Sequence, residues 1–235
     1  MIKYIFAFFI ILGLSALGWL YNLYDDIKHD VDKIVNYNPK QSTQFFDNKG
    51  RLIANTFKGE NREYVKYDDI PARIIEGLVA IEDTQYFEHH GINPDAISRA
   101  IIKDIKAGGF VEGASTLTQQ LVKMIVLTRE KKLIRKVKEA LLAIRLETIL
   151  TKEEILERYL NHVYFGHGYY GIRTAARGYF NKDLYELSLK EMAILVGLPR
   201  APSFYDPTKN LKISLARANQ VVTRLDTLGW ISKDQ

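Results

Sequence analysis

From Tyr4 to Tyr21 the chain reads YIFAFFIILGLSALGWLY, eighteen residues without a charge. At 1.5 Å per residue that run makes about 27 Å of helix, close to the ~30 Å hydrocarbon core of a bilayer. A segment this apolar cannot serve as a loop in water, so the remainder is expected to fold beside a membrane. Lys3 precedes the run, Asp25 and Asp26 follow it, and positive charge stays on the cytoplasmic side. Residues 1–24 are therefore read as a transmembrane signal anchor with the remainder outside, Trp19, Tyr21 and Tyr24 sitting in the outer interfacial belt. A cleaved signal peptide, with Gly13 and Ser15 as small-residue candidates, is the competing reading.

The chain has 235 residues, room for one good-sized domain plus an appendage. Its 47% hydrophobic and 26% charged content belongs to a globular protein with a real core. Cysteine is absent, which excludes disulfides, a thiolate nucleophile and cysteine-ligated zinc or iron-sulfur sites. Chemistry must then come from carboxylates, hydroxyls, amides, imidazoles and cationic side chains. The net charge of +5 favours an anionic partner: nucleic acid, phospholipid headgroups or a phosphorylated substrate. Composition does not choose among them.

Residues 25–45 are polar without a strong period and read as a juxtamembrane connector. QFFDNKGRLIANTF predicts a short hairpin, turning at Asp47, Asn48 and Gly50. From Asp69, a plausible N-cap with Pro71 near the first turn, Ile74, Ile75, Leu78 and Val79 recur at helical spacing. Gly108, Gly109 and Gly113 mark a loop in which Phe110 and Val111 are exposed or membrane-facing. Further helices are expected at 116–127, 132–150, 152–161, 171–179, 188–196 and 213–228. No internal repeat interrupts this pattern, which describes a mostly α domain over residues 46–235 on a membrane anchor.

Four stretches carry groups capable of chemistry. In AIEDTQYFEHHG, Glu82 follows Ile75 by seven residues and Leu78 by four, on the apolar stripe of a continuing helix. Partial burial there disfavours the charged carboxylate and suits it to exchange a proton with a hydroxyl; a helix end facing water is the equal alternative. Asp83 is adjacent, and His89 and His90 return to orient either acid; with no HExxH, zinc is not indicated. In KKLIRKVKEALLAIRLE, Leu133, Val137, Ala140, Leu141 and Ile144 form the expected buried stripe. Glu139 is the one acid among Lys132, Arg135, Lys136 and Lys138, and cations keep it ionised. Two carboxylates in opposite environments suit acid/base work at a sugar, although Glu139 alone reads more simply as an ion-paired residue on a solvated basic face. EGASTLTQQLVK places Ser115, Thr116, Gln119, Gln120 and Lys123 at a helix N-terminus, where free N–H groups favour an anion; an N-cap with a polar face explains them too. YLNHVYFGHGYYGIRTAARGYF is crowded with aromatic residues and glycines, as a sugar-binding groove or as core.

In this order, EDTQYFEHHG, GASTLTQQLVK, RKVKE and ILERYLNHVYFGHGYYGI resemble the successive motifs of the family 51 glycosyltransferases. These are the peptidoglycan polymerases of class A penicillin-binding proteins and monofunctional transglycosylases. The resemblance, over residues 45–235, implies a mostly α fold with a lysozyme-like core and a smaller, mobile, membrane-contacting lobe. It implies lipid II, the lipid-linked disaccharide-pentapeptide pyrophosphate, as substrate. It gives Glu82 as the general base on the acceptor hydroxyl, supported by Asp83 and His89. Glu139 is the second essential acid, working near the donor pyrophosphate with Arg135, Lys136, Lys138 and a divalent cation, Mg or Mn, that it helps to hold. Ser115, Thr116, Gln119, Gln120 and Lys123 fall in the donor-binding motif, and Asn161, Tyr164 and Tyr179 in later groove motifs. Implied partners are lipid II, the growing glycan chain, the membrane and other cell-wall synthesis proteins, and not nucleic acid. The implied location is the bacterial inner membrane, single-pass, with the catalytic domain on the periplasmic face.

Tyr86 stands where the first motif usually has Phe, Ala114 replaces a usual Gly, and Met124 stands where Asn is common, removing a polar contact. No SxxK followed by SxN and KTG occurs, so no penicillin-binding transpeptidase lies within these residues. ANQVVTRLDTLGWISKDQ resembles the stretch before that domain, so a piece of a longer class A protein is expected. A lysozyme-like hydrolase or lytic transglycosylase is the nearest rival, and a membrane-anchored scaffold a more distant one.

Overall fold

The computed structural model describes residues 2–37, 39, 42–56, 60–109, 113–127 and 132–232. Phe110, Val111, Glu112 and Lys131 lie outside them. Helix α1 (Ile2–Ile27) runs 26 residues, about 39 Å at the usual rise. The helical stretch from Lys3 to Val35 contains a window of mean hydropathy 2.0, none of it buried in the protein. It is the one helix among the described residues long and apolar enough to cross a membrane, and so broad an apolar surface finds its natural cover in lipid.

Helical structure outlasts the apolar run. A 3-10 turn (Lys28–Val31) leads into a single turn, α2 (Asp32–Val35). Ile27, Val31 and Ile34 share one face at i, i+4 and i+7, and all three are buried. They pack towards α5 (Leu117–Ile125) and α6 (Lys132–Glu147). From α7 (Lys152–His162), Arg158 adds hydrogen bonds to the carbonyls of Ile34 and Val35, each 3.1 Å. The stretch expected to be a connector therefore supplies core; these three buried residues are masked in the sequence by the charges on its other face.

The hairpin pairs β1 (Thr43–Phe46) with β2 (Leu52–Thr56), Thr43 opposite Thr56, with a bulge between Phe45 and Phe46. The Asp47 carboxylate closes the turn by accepting from the N–H groups of Lys49 (2.9 Å) and Arg51 (2.8 Å). Helix α3 spans Ala72–Glu82, with Pro71 at its N-cap position and no side-chain cap. Asp69 lies instead in a 3-10 turn, Tyr67–Asp69, because Ile70 precedes a proline and is forced out of helical geometry. A separate helix, α4 (Pro94–Ala107), begins at the cap Asn93 and ends at Gly108 in left-handed geometry. The sequence reading did not resolve it.

The capping-box pairs Thr116/Gln119, Thr151/Glu154 and Ser188/Glu191 start α5, α7 and α9 (Leu189–Gly197). A short parallel pair, β3 (Asn61–Arg62) and β4 (Tyr169–Tyr170), precedes α8 (Ile172–Phe180). The fold closes with α10 (Leu211–Thr227), which packs with α9 on α3. Their facing residues, among them Ile74, Leu78, Leu195 and Val221, make a core exposed by no more than 1%.

Below β3 a polar cluster is buried. Arg62, 1% exposed, donates to Tyr37 Oη (2.7 Å) and the Asn161 carbonyl (2.8 Å), while Tyr37 Oη donates to His162 Nδ1 (2.5 Å). Burial first, then the Arg62 charge, lowers the His162 pKa from 6.5 to about 4. The unfolded chain therefore binds a proton at this residue between those values that the fold refuses. The stabilisation is complete above about pH 6.5 and is lost as the pH falls towards 4, on the order of 2 kcal/mol after allowing for partial solvent access. Urea unfolding at pH 7 and pH 4.5 is expected to show that drop, and His162→Gln to lessen the difference between the two pH values.

Candidate active site

Glu82 is the last residue of α3, and its side chain is 14% exposed. Both sequence readings of it are half met: it ends the helix, yet the stripe that carries it is the buried one. Its Oε1 accepts from Arg217 Nη2 and its Oε2 from Gln120 Nε2, each at 3.2 Å.

The loop that follows is knitted into its surroundings. His89 Nε2 lies 3.0 Å from Asp83 Oδ2, with both residues buried, and the same oxygen accepts from the Leu117 N–H at 3.0 Å. A carboxylate thus meets the free N–H groups at the start of α5. Thr116 Oγ1 accepts from the Gln119 N–H (3.1 Å) and donates to the Gly91 carbonyl (2.7 Å). Gly91 has φ +84°, and a β-carbon there would sit 2.6 Å from the Ala143 carbonyl carbon. Only glycine lets this loop lie on the backbone of α6.

The burial of α6 differs from the expected stripe. Leu133 is 79% and Ile144 40% exposed, while Glu139, Leu142, Ala143 and Leu146 are all at 0%. The buried seam, at i, i+3, i+4 and i+7, therefore includes the acid itself, and Glu139 is not on a solvated face. Its burial is compensated by Lys136 Nζ, 2.5 Å from Oε2, and Arg135 Nε, 3.3 Å from Oε1. A carboxylate with two cations in reach occupies a seam position where hydrophobic periodicity expects an apolar residue. Lys136 Nζ also donates to Ser115 Oγ at 2.8 Å, while Lys138 is half-buried and Lys123 exposed.

Glu82, Asp83, Ser115 and Thr116 line one cleft of about 540 Å³. Arg99 and Lys103 of α4, with Arg200 and Arg224, complete its wall, so the cleft is biased towards anions. Gln119 is 6% exposed and spends its side-chain oxygen on the Thr116 N–H. Asn161, Tyr164 and Tyr179 are not in the cleft lining. The Asn161 amide is consumed by the Val65 backbone at both ends and by the Glu157 carbonyl. Tyr179 Oη donates to the Phe165 carbonyl at 2.8 Å, and the Tyr164 ring packs on Tyr170 with centroids 4.9 Å apart. These three organise the chain around β4, and the later motif thus shapes the scaffold.

Arg217 and Tyr159 were not among the sequence candidates. The signal for Arg217 was present: Ser214, Arg217, Ala218, Val221 and Leu225 form the buried stripe of α10, and an arginine on such a stripe needs a partner. For a divalent cation the donor set is thin. No group of three His, Asp or Glu side chains converges among the described residues. Glu139 Oε1, buried without a hydrogen bond, is a single anionic oxygen beside two cations. The described residues do not by themselves make a resident metal site.

A family model described as Transglycosylase matches residues 49–226. Penicillin-binding protein 1A of Aquifex aeolicus is 43% identical over 226 residues, covering 96% of this chain and 31% of its own length. Penicillin-binding protein 1A of Escherichia coli is 40% identical over 96% of this chain and 26% of its own. For penicillin-binding protein 1F of Bacillus subtilis the identity is 43%, covering 81% of this chain and 27% of that protein. The chain thus spans between a quarter and a third of the curated relatives it matches.

Proposed function

Because the chain belongs to the transglycosylase family, we propose that it is a membrane-anchored peptidoglycan glycosyltransferase that polymerises lipid II. One observation carries this reading. Glu82, 14% exposed with a donor on each oxygen, opens onto the same cleft as Ser115, whose hydroxyl is held by the Lys136 that also pairs with the fully buried Glu139. A proton acceptor and a cationic cluster thus flank one cavity, as a reaction that removes a proton and expels a pyrophosphate requires.

In the proposed step the acceptor sugar's 4-hydroxyl gives its proton to Glu82 as its oxygen attacks the donor's anomeric carbon from the face opposite the leaving group. The new glycosidic C–O bond forms as the carbon–phosphate oxygen bond breaks, the configuration inverts, and polyprenyl pyrophosphate departs with the bonding pair. Lys136 and Arg135 stabilise the charge that accumulates on the leaving oxygen, and Glu139 holds these two cations in place. Asp83 and His89 fix the loop behind Glu82. A divalent cation, where required, would enter with the pyrophosphate, supplying further neutralisation of its charge.

The anchor α1 places the chain in the membrane, and we assign the domain to the periplasmic face from the Lys3 and Asp25/Asp26 asymmetry. Helix α4 presents Ile101, Ile102 and Ile105, all more than half exposed, beside the cleft lined by its Arg99 and Lys103; this is the face expected to dip into lipid beside the substrate. Purified protein in detergent or vesicles, supplied with lipid II, is expected to yield lengthening glycan on gels. Shortening of preformed glycan would instead support a lytic enzyme and refute the polymerase.

A further inference from the structure

Glu82 is gripped from the side away from the cleft. Arg217, on Oε1, is 5% exposed. Its stem passes Gly197 of α9, where a β-carbon would lie 2.8 Å from Arg217 Cγ. The lane along which the guanidinium reaches Glu82 exists because α9 has no side chain there. The other end of the fork donates to Gln220 Oε1 at 3.1 Å, and the Tyr205 ring lies 5.6 Å away. On Oε2 stands Gln120, whose own amide oxygen accepts from Tyr159 Oη at 3.1 Å. Tyr159 is 1% exposed. Burial, followed by the charge of Glu82, holds its phenol protonated well above the ordinary range, so it remains a donor at every working pH. An amide whose oxygen is taken by a phenol offers its NH₂ to the carboxylate and has no reason to rotate away.

We infer that Tyr159 and Arg217 are positioning residues for Glu82, holding its carboxylate aimed into the cleft, directly on one oxygen and through Gln120 on the other. The inference deepens the reading of Glu82 as general base and rests on it. A base must face the proton it takes, and two fixed donors stop the carboxylate from rotating away from the cleft. Arg217 from α10 and Tyr159 from α7 face Glu82 from behind; Asp83, Arg99, Lys103, Arg200 and Arg224 share its cleft.

The test is lipid II polymerisation for wild type, Tyr159→Phe, Arg217→Gln, Arg217→Lys and Glu82→Gln. Removing one phenol oxygen leaves Gln120 Oε1 without its donor, so Tyr159→Phe is expected to lower kcat roughly tenfold with little change in KM. Arg217→Gln should lose roughly 100-fold, and Arg217→Lys should recover part of it. Adding Tyr159→Phe to Glu82→Gln should cost nothing further, since residues acting through one group are not additive. An unchanged kcat in Tyr159→Phe, or losses that multiply in the double variant, would overturn the inference, and thermal unfolding checks that each variant is folded. If Glu82→Gln keeps full turnover, the reading of Glu82 itself has failed; if it is inactive while Tyr159→Phe and Arg217→Gln behave as wild type, only the positioning roles have.

Discussion

Glu82→Gln is expected to lower the rate of glycan polymerisation by about 10²–10⁴-fold, the range that a positioned general base contributes. Gln keeps the length and planarity of the side chain and can still accept from Arg217 through its oxygen. The same change puts an NH₂ where Gln120 now donates to a carboxylate oxygen at 3.2 Å. One clash of donors results, which rotation of the Gln120 amide relieves, its NH₂ then facing the Tyr159 hydroxyl oxygen, which can accept. Folding should therefore survive and the chemical step should not. Initial rates with lipid II, alongside the thermal midpoint, separate these outcomes. Full turnover in a folded variant would exclude Glu82 as the base.

Glu139→Gln is expected to be nearly as damaging, by about 100-fold or more, for a different reason. Nothing would be lost from the cleft wall itself, because Glu139 is at 0% exposure. What disappears is the anion that gathers Arg135 and Lys136 onto one face of α6. Left as two unneutralised cations close together, they would repel each other, and Lys136 would quit Ser115 Oγ for solvent. Removing one partner of a buried ion pair often costs about 3–5 kcal/mol of stability, but Lys136 is 49% and Arg135 27% exposed. Water can take over both, so the loss in stability should fall well below that range. Unchanged turnover in a folded variant would remove Glu139 from the mechanism.

Local chemistry explains which parts of this molecule were readable in its sequence. Helices α5, α7, α8, α9 and α10 lie within about two residues of their expected bounds, because hydroxyl caps, glycine and left-handed Asn181 punctuate them. The hairpin was equally legible from Asp47 and Gly50. Helix α6 was found but its burial was misread: a helical wheel ranks Leu133 and Ile144 above Glu139, and it is pairing with Arg135 and Lys136, one turn earlier on the same helix, that makes a buried acid tolerable. The same blindness hid Arg217. Asn161 and Tyr179 spend their polar tips on backbone, a pairing that a motif in the sequence does not report. Residues 25–35 failed for a third reason, namely that four apolar positions cannot outvote their charged neighbours in a sliding window.

That last segment sets a mechanical condition on the whole protein. A flexible linker between anchor and domain would let the domain wander over a range growing with the square root of linker length. Here α1 passes into the core through Ile27, Val31 and Ile34, and Arg158 clasps the carbonyls of Ile34 and Val35. The membrane thereby becomes a ruler: the cleft stands at one altitude above the lipid and turns with the anchor. A substrate whose own tail lies in that lipid would meet the cleft by searching a plane at constant height, a two-dimensional encounter in which neither molecule has slack to take up.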